Sequence, residues 1–118
     1  MLLSGVDSAW RAVCPGSCPA PPGPGGWATG PAELAAAVGP RTAAVLLMSP
    51  VMPTGAVLGG EHLEAIAGPA GRHRGWVIWD AAMDRIRFDG QPPVQPGAHP
   101  GLAGRTITVG PASQGNCR

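Results

Sequence analysis

A strand–helix–strand pattern in residues 42–79 constrains the fold of this chain more than any other feature. Thr42–Met48 is a continuous apolar run without alternation, which is typical of a strand buried on both faces. The run Glu61–Ala70 has the i, i+3, i+4 and i+7 spacing of an amphipathic helix at Leu63, Ile66, Ala67 and Ala70. Trp76–Trp79 resembles a second short buried strand, with both tryptophans in the core. Two strands joined by a helix form a βαβ unit, so the sequence predicts an α/β fold.

Two further elements flank this unit. Pro31–Val38 is a predicted short helix, because proline suits the first helical position and Gly39 and Pro40 form a stop signal. Thr106–Val109 is β-branched throughout and predicts a third strand. We therefore expect a partial three-layer α/β/α sandwich with a mostly parallel sheet.

Glycine and proline, which number 19 and 15, are concentrated in two segments. Residues 15–31 hold eleven of them and residues 90–104 hold eight. Both segments are expected to be loops. The chain accordingly divides into a Pro/Gly-rich N-terminal segment, residues 1–28, and one globular unit, residues 29–118.

Charge and apolar patterning exclude several function classes. A net charge of +1 gives no electrostatic footprint for nucleic acid. The longest apolar stretch, Ala43–Met48, is too short to cross a bilayer, and the first residues lack the basic region of a secretory signal. Cys14, Cys18 and Cys117 are an odd number with unpaired spacing, which favours neither disulfides nor a zinc site. The expected location is the cytoplasm.

The eight basic residues are all arginines, and the chain contains no lysine. A Walker-type phosphate loop is therefore excluded, because it needs a lysine to reach the nucleotide phosphates. A Schiff-base side chain is excluded too, since arginine stays protonated. Codon bias can explain why surface lysines are replaced by arginine. Whatever the cause, a chain without lysine can form neither a Walker-type loop nor a Schiff base on a lysine side chain.

Asp80 is the one formal charge directly at the predicted strand ends, where Ser49 follows the first strand and Gly110 the third. Ligands of open parallel sheets bind outside the carboxyl ends of the strands. Topology therefore points to Asp80 as a site residue; the structural alternative is a carboxylate that caps a loop.

Three motifs in order carry a resemblance to a known family. Leu47–Gly55 resembles the Ser-Pro-x-Asn-Pro-Thr-Gly turn of class I/II aminotransferases, which are pyridoxal-phosphate enzymes of fold type I. Asp80–Gly90 is similar to the family's Asp-Glu-x-Tyr segment with its trailing Phe-Asp-Gly, and Arg105–Gln114 to the strand that leads into Ser-x-Ser-Lys. The spacings, 28 residues from Met52 to Asp80 and 34 from Asp80 to Gln114, are close to those of the family. The resemblance covers residues 29–114, part of the cofactor-binding large domain.

The resemblance implies roles for four cofactor-binding residues. Asp80 should face the pyridine nitrogen of pyridoxal 5'-phosphate and keep it protonated, so that the ring acts as an electron sink. Ser113 matches the second serine of Ser-x-Ser-Lys. Met52 and Met83 stand where the family usually has an asparagine and a tyrosine that donate to the phenolic oxygen; a thioether cannot donate. The alternative for both methionines is gap filling in the core.

Gln114 is the decisive departure from the family pattern. It occupies the position of the lysine that binds the cofactor covalently and moves the proton, and an amide can do neither. Pro111 replaces the family's first serine. We therefore expect no catalytic residue in this chain, and a truncated or degenerate aminotransferase that is inactive as written.

The parent family transfers an amino group between an amino acid and a 2-oxo acid and is homodimeric, so the resemblance implies these substrates and this assembly, with no nucleic-acid or membrane partner. A second hypothesis is a non-catalytic module for cofactor binding or subunit interaction. A third is no independent function, because a sheet cut from its neighbours has unpaired edges. The histidines, His62, His73 and His99, are expected at the surface or in loops, and residues 72–74 at a solvated helix end.

Overall fold

The computed structural model describes residues 29–111 of the 118-residue chain. These residues form two helices and three strands around a parallel sheet. In chain order the elements are α1 (Pro31–Ala37), β1 (Ala44–Met48), α2 (Gly60–His73), β2 (Trp76–Asp80) and β3 (Thr106–Val109). The predicted α/β class is confirmed.

The strands lie in the order β1-β2-β3, and both pairs are parallel. Leu46 is in register with Ile78, and Ile78 with Ile107. At the carboxyl edge, Asp80 at the end of the central strand lies between Met48 and Val109. The topology therefore brings the three strand ends to one edge, as the sequence predicted.

The core lies between one face of the sheet and the helices. Val45, Leu47, Val77 and Trp79 alternate along β1 and β2 and are at most 4% exposed. They form one cluster with Leu34 of α1, with Val38 directly after α1, and with Leu63, Ile66 and Ala70 of α2. The predicted apolar stripe of α2 is thus confirmed: it buries the helix against the sheet.

The opposite face of the sheet, which we call the open face, carries Ala44, Leu46, Met48, Trp76, Ile78, Asp80, Ile107 and Val109. Trp76 and Ile107 are each 48% exposed, and Leu46 and Ile78 are half-buried. The expectation that β1 is buried on both faces is therefore wrong for residues 29–111, and so is the core position of Trp76. The described residues supply the sheet and the helical layer on one of its faces.

The strand boundary at Thr42 differs from the prediction for a local reason. The Thr42 hydroxyl accepts a hydrogen bond from the Gly39 backbone N–H at 3.0 Å, and the Thr42 N–H donates to the Gly39 carbonyl at 2.9 Å. These bonds hold Thr42 in the turn after α1, as a threonine side chain competing for backbone partners can do. The strand consequently begins at Ala44.

Helix α2 continues beyond its predicted end at Ala70. It passes Pro69 and ends at His73, and Arg74 follows in the left-handed region with φ 56°. The Gly75 N–H then donates to the Ala70 carbonyl at 3.0 Å, which closes the helix terminus. Arg72 and Arg74 are exposed there, which confirms the solvated helix end.

The glycine- and proline-rich segment 90–104 contributes to the core, contrary to its interpretation as a plain loop. It contains two short 3₁₀ helices, Pro96–Ala98 and Ala103–Arg105. Between them Leu102 is fully buried in the core cluster. Its carbonyl accepts a hydrogen bond from the Thr106 hydroxyl at 2.9 Å, which fixes the start of β3.

Within residues 29–111, no helix combines the length and apolar character needed to cross a membrane. The same residues contain no group of three or more potential metal ligands. Cys14, Cys18 and Cys117 lie outside the described residues, as does the N-terminal segment 1–28.

Candidate functional site

The turn after β1 is closed by one side-chain and one backbone hydrogen bond. The buried Ser49 hydroxyl accepts the Leu58 N–H at 3.0 Å and so joins residues nine positions apart. The Gly55 N–H donates to the Val51 carbonyl at 2.7 Å, and Gly55 has φ 71°, a conformation that favours glycine. Because these bonds lie at the base, Met52 extends from the turn with 61% of its surface exposed.

Asp80 ends β2 and is partly buried. Its Oδ1 accepts the Ala82 N–H at 2.9 Å, and the neighbouring Ala81 N–H donates to the Val109 carbonyl at 2.7 Å. Within residues 29–111, no hydrogen bond is formed to Oδ2. Among the described residues, the carboxylate is thus held through Oδ1 alone at the carboxyl edge of the sheet.

Two adjoining clefts lie beside this edge and share Met52, Met83 and Ile86 in their walls. The larger has a volume of about 600 Å³ and also contacts Ala81, Ala82, Asp84, Arg85, Gly110 and Pro111. The smaller, of about 500 Å³, extends along the turn after β1 from Pro50 to Val57 and along Arg87–Asp89. Asp80 belongs to the wall of neither cleft, although its neighbour Ala81 does.

The structure brings Met52 and Met83 together in the walls of both clefts. Met52 is mostly exposed and Met83 is half-buried, so gap filling in the core is wrong for Met52. Arg85 and Ile86 line the larger cleft although the sequence analysis gave them no role, and Pro111, which replaces the family's first serine, lines it too. The sequence could have indicated a role for these residues, because they lie close in the chain to Asp80, to Met83 and to the end of β3.

Arg87 and Asp89 form an ion pair at the rim of the smaller cleft. The Arg87 Nη2 lies 2.6 Å from Asp89 Oδ2, and Nε donates to Oδ1 at 3.1 Å. These hydrogen bonds hold the pKa of Asp89 below its usual range and raise the pKa of Arg87. Arg87 is therefore committed to its own loop, where Nη1 also donates to the Pro92 carbonyl.

His62 is buried, which corrects its expected surface position. Its Nδ1 accepts the Gly59 N–H at 3.0 Å at the start of α2, so the proton lies on Nε2, which donates to the Thr29 carbonyl at 3.1 Å. The exposed Glu61 carboxylate lies 3.2 Å from Nδ1, but both groups are hydrogen-bond acceptors, so no hydrogen bond joins them. His62 thus serves the fold by joining residue 29 to α2, whereas His99 lies in the loop before β3, as expected.

Two further residues of the sequence analysis, Ser113 and Gln114, lie outside the described residues. The structure describes the chain as far as Pro111, which lies in the wall of the larger cleft. The cofactor-binding prediction for Ser113 and the denial of a catalytic role for Gln114 both stay predictions.

Comparison with known proteins identifies the family. The chain is 40% identical over 82 residues to the arginine–pyruvate transaminase of Pseudomonas aeruginosa and 35% identical over 100 residues to kynurenine–oxoglutarate transaminase 1 of Rattus norvegicus. It belongs to the class I/II aminotransferase family. No protein-family model matches the sequence.

Solved aminotransferases share the fold of the described residues. The N-succinyldiaminopimelate aminotransferase of Mycobacterium tuberculosis superimposes with a TM-score of 0.66 at 38% identity, over 74% of this chain and 23% of that one. The Escherichia coli protein with a methionine aminotransferase function gives 0.69 at 27% identity, over 79% of this chain and 25% of that one. The family resemblance inferred from the three motifs is therefore confirmed.

The chain spans only part of these aminotransferases. The aligned region is 70% of this chain but 21% of the Pseudomonas enzyme, and 81% of this chain but 24% of the rat enzyme. What the described residues hold is the βαβ unit, the third strand and the carboxyl edge with its clefts.

Proposed function

We propose that the clefts at the carboxyl edge are part of the pyridoxal-phosphate site of an aminotransferase large domain. The parent reaction is amino-group transfer between an amino acid and a 2-oxo acid. The observation that carries the proposal is Asp80 at the end of the central parallel strand, beside clefts walled by Met52 and Met83. Its Oδ2 accepts no hydrogen bond from residues 29–111. Parallel sheets bind ligands at this edge.

The residues present fit the ring of the cofactor. Asp80 Oδ2 can accept a hydrogen bond from a protonated pyridine nitrogen, and the next two residues, Ala81 and Ala82, line the larger cleft with small side chains. Bound there, the cofactor supplies an electron sink for a carbanion, and the carboxylate stabilises the protonated nitrogen that this requires. Met52 and Met83 can pack against the ring but cannot donate a hydrogen bond.

The residues do not fit the covalent step. We propose that Gln114 occupies the position of the family's lysine, so this chain binds the cofactor without a covalent bond and does not catalyse transamination by itself. Ser113 is proposed to bind the cofactor. Homodimer formation, a cytoplasmic location and the absence of nucleic-acid and membrane partners belong to the same proposal, by relation to the family.

Reduction with borohydride tests the lysine argument directly. We expect that the chain incubated with pyridoxal phosphate, reduced and digested carries no cofactor on any internal peptide, because it has no lysine. The variant Gln114→Lys should carry the cofactor at residue 114, detected by mass spectrometry. A matched variant, Gln95→Lys, places an amine in an exposed position outside both clefts and should label far less. Equal labelling of the two variants would contradict the assignment of position 114.

The second candidate function is a non-catalytic module that retains cofactor binding. It is favoured by the edge geometry, since Asp80 and both clefts are present although the lysine is not. It predicts saturable, non-covalent binding of pyridoxal phosphate measured by calorimetry.

The variant Asp80→Asn is the sharpest probe of that binding. Asparagine keeps an oxygen for the Ala82 N–H but loses the charge opposite the pyridine nitrogen, so affinity should fall by about tenfold or more, as for a lost charged hydrogen bond. Glu64→Gln removes a charge from an exposed position on α2 outside both clefts and serves as the control, which should bind like the original chain. The module hypothesis fails if the original chain gives no binding heat, and the role of Asp80 fails if both variants bind equally.

A further inference from the structure

The smaller cleft has an apolar wall whose largest side chains are exposed. Phe88 is 96% exposed, Met52 61% and Ile86 49%. All three line this cleft, together with Val51 and Val57. Exposed apolar side chains gathered around one concavity are typical of a binding site for an apolar group. The wall therefore predicts an apolar occupant.

The charged side chains in this wall satisfy each other. Among the described residues that line the cleft, only Arg87 and Asp89 are charged. Arg87 donates to both carboxylate oxygens of Asp89 and to the Pro92 carbonyl, and Asp89 Oδ1 also accepts the Gln91 N–H at 3.1 Å. A carboxylate that entered the cleft would lose bound water without finding an uncommitted cation in this wall. The electrostatics of the wall thus disfavour an acidic group.

Backbone hydrogen bonds hold both sides of the smaller cleft. On one side the Val51 N–H donates to the Ala56 carbonyl at 2.8 Å, and the Gly55 N–H to the Val51 carbonyl at 2.7 Å. On the other side the Ile86 N–H donates to the Met83 carbonyl at 2.9 Å. Because the two sides are held in this way, binding needs little further ordering of the backbone.

The smaller cleft is continuous with the larger one through Met52, Met83 and Ile86, which line both. Its volume of about 500 Å³ falls within the range of roughly 300–1,000 Å³ that is typical of small-molecule sites. An amino acid that reacts on the cofactor must extend its side chain into space beside the cofactor ring. With the ring in the larger cleft, the smaller cleft is that adjoining space.

We propose that the smaller cleft takes the side chain of the amino-acid substrate and selects large apolar side chains, aromatic ones above all, over acidic ones. This inference rests on the proposed function, because it needs the cofactor ring in the larger cleft. Met52 and Met83 lie where the two clefts meet, and thioether sulfurs make favourable contacts with aromatic rings. Phe88, which lines the smaller cleft alone, adds an aromatic surface.

Equilibrium binding of two stable conjugates to the full chain tests this inference. N-phosphopyridoxyl-L-phenylalanine and N-phosphopyridoxyl-L-aspartate carry the same ring and phosphate and differ only in the amino-acid side chain. Both contain a reduced carbon–nitrogen bond, so their binding requires neither a lysine nor catalysis. We expect calorimetry to show that the phenylalanine conjugate binds about tenfold or more tightly than the aspartate conjugate.

The two conjugates separate this inference from the proposed function. If neither binds, the proposed function is wrong and the inference fails with it. If both bind with equal affinity, or the aspartate conjugate binds more tightly, the cofactor site stands and only the inference about the smaller cleft is overturned.

The variant Asp89→Asn tests the electrostatic part of the selection. Asparagine keeps an oxygen for the Gln91 N–H but no longer neutralises Arg87. Affinity for the aspartate conjugate should therefore rise about threefold or more, while that for the phenylalanine conjugate changes little. Glu64→Gln removes one negative charge at an exposed position outside both clefts and should change neither affinity. An equal rise in both variants would contradict the proposal, because net charge would then explain the effect.

The variant Phe88→Ala tests the apolar part. It should weaken the phenylalanine conjugate by about two- to tenfold, the contribution of an aromatic pair, and leave the aspartate conjugate unchanged. Because Phe88 is almost fully exposed, its truncation leaves the core intact. The control Trp76→Ala removes an aromatic ring at the amino end of β2, outside both clefts, and should alter neither affinity. Equal losses in the two variants, or no loss in Phe88→Ala, would contradict the proposed selection.

Discussion

The ion pair between Arg87 and Asp89 shows how a single side chain can be committed to its own loop although it borders a cleft. Arg87 makes three hydrogen bonds, two to the Asp89 carboxylate and one to the Pro92 carbonyl. A guanidinium held in this bidentate way has few free donors for an anionic ligand. Arg85, which borders the larger cleft, is not held in this way within the described residues and is the better candidate to contact an anion.

The pair predicts a measurable titration change. Hydrogen bonds from Arg87 lower the pKa of Asp89, so Arg87→Gln should raise that pKa toward its ordinary value. Because the folded-state pKa is lowered, the stabilising contribution of the pair is present above the unfolded pKa and is lost as the pH falls through the folded value. Carboxyl-carbon NMR titration measures the shift. Arg85→Gln should leave Asp89 unchanged; an equal shift in both variants would mean that net charge, not the contact, sets the pKa.

Two glycines in different elements give opposite predictions for the same substitution. Gly71 lies inside α2, and a Cβ added there meets no atom within 4 Å. Gly71→Ala should therefore raise the free energy of unfolding by about 0.5–1 kcal/mol, because alanine restricts the unfolded chain. Gly55 has φ 71° in the turn after β1, so Gly55→Ala should lower it by about 1–2 kcal/mol through backbone strain alone. Urea unfolding measures both, and changes of the same sign would refute the distinction.

The elements were predictable to the extent that a local pattern controls them. Apolar spacing predicted α2, because periodicity reflects which side of a helix is buried. Short apolar runs predicted β1 and β2, and β-branched residues predicted β3. The start of β1 was missed because the Thr42 hydroxyl bonds to the Gly39 backbone, a competition that apolar counting does not include. The prediction of a surface position for His62 was wrong for a similar reason. Its two ring nitrogens both have backbone hydrogen-bond partners, which offset the cost of burying the imidazole.

The candidate site was predictable in part. Three strand ends at one edge follow from parallel topology, and this placed Asp80 correctly at the end of the central strand. The exposure of Met52 depends on how Ser49 and Gly55 close the turn, which requires the folded backbone. Likewise, one face of the sheet is buried because the helices pack on that side. The strand sequences alone do not specify which side this is, because they are apolar on both faces.

At the scale of the whole molecule, the glycine- and proline-rich segment before β3 is an integral part of the core. Leu102 has no exposed surface and packs in the same cluster as the sheet and helices, although no periodic pattern surrounds it. Leu102→Ala should therefore lower the free energy of unfolding by about 2–5 kcal/mol, through lost burial and the cavity left behind. That is a large share of the roughly 5–15 kcal/mol that stabilises a typical domain.

The matched control for Leu102 is Phe88→Ala, because Phe88 is larger but 96% exposed at the rim of the smaller cleft. Its truncation should change stability by less than about 0.5 kcal/mol, as surface substitutions do. Urea unfolding followed by circular dichroism compares the two midpoints. If segment 90–104 were a dispensable loop, both variants would unfold like the original chain; if it closes the core as the structure shows, only Leu102→Ala unfolds early.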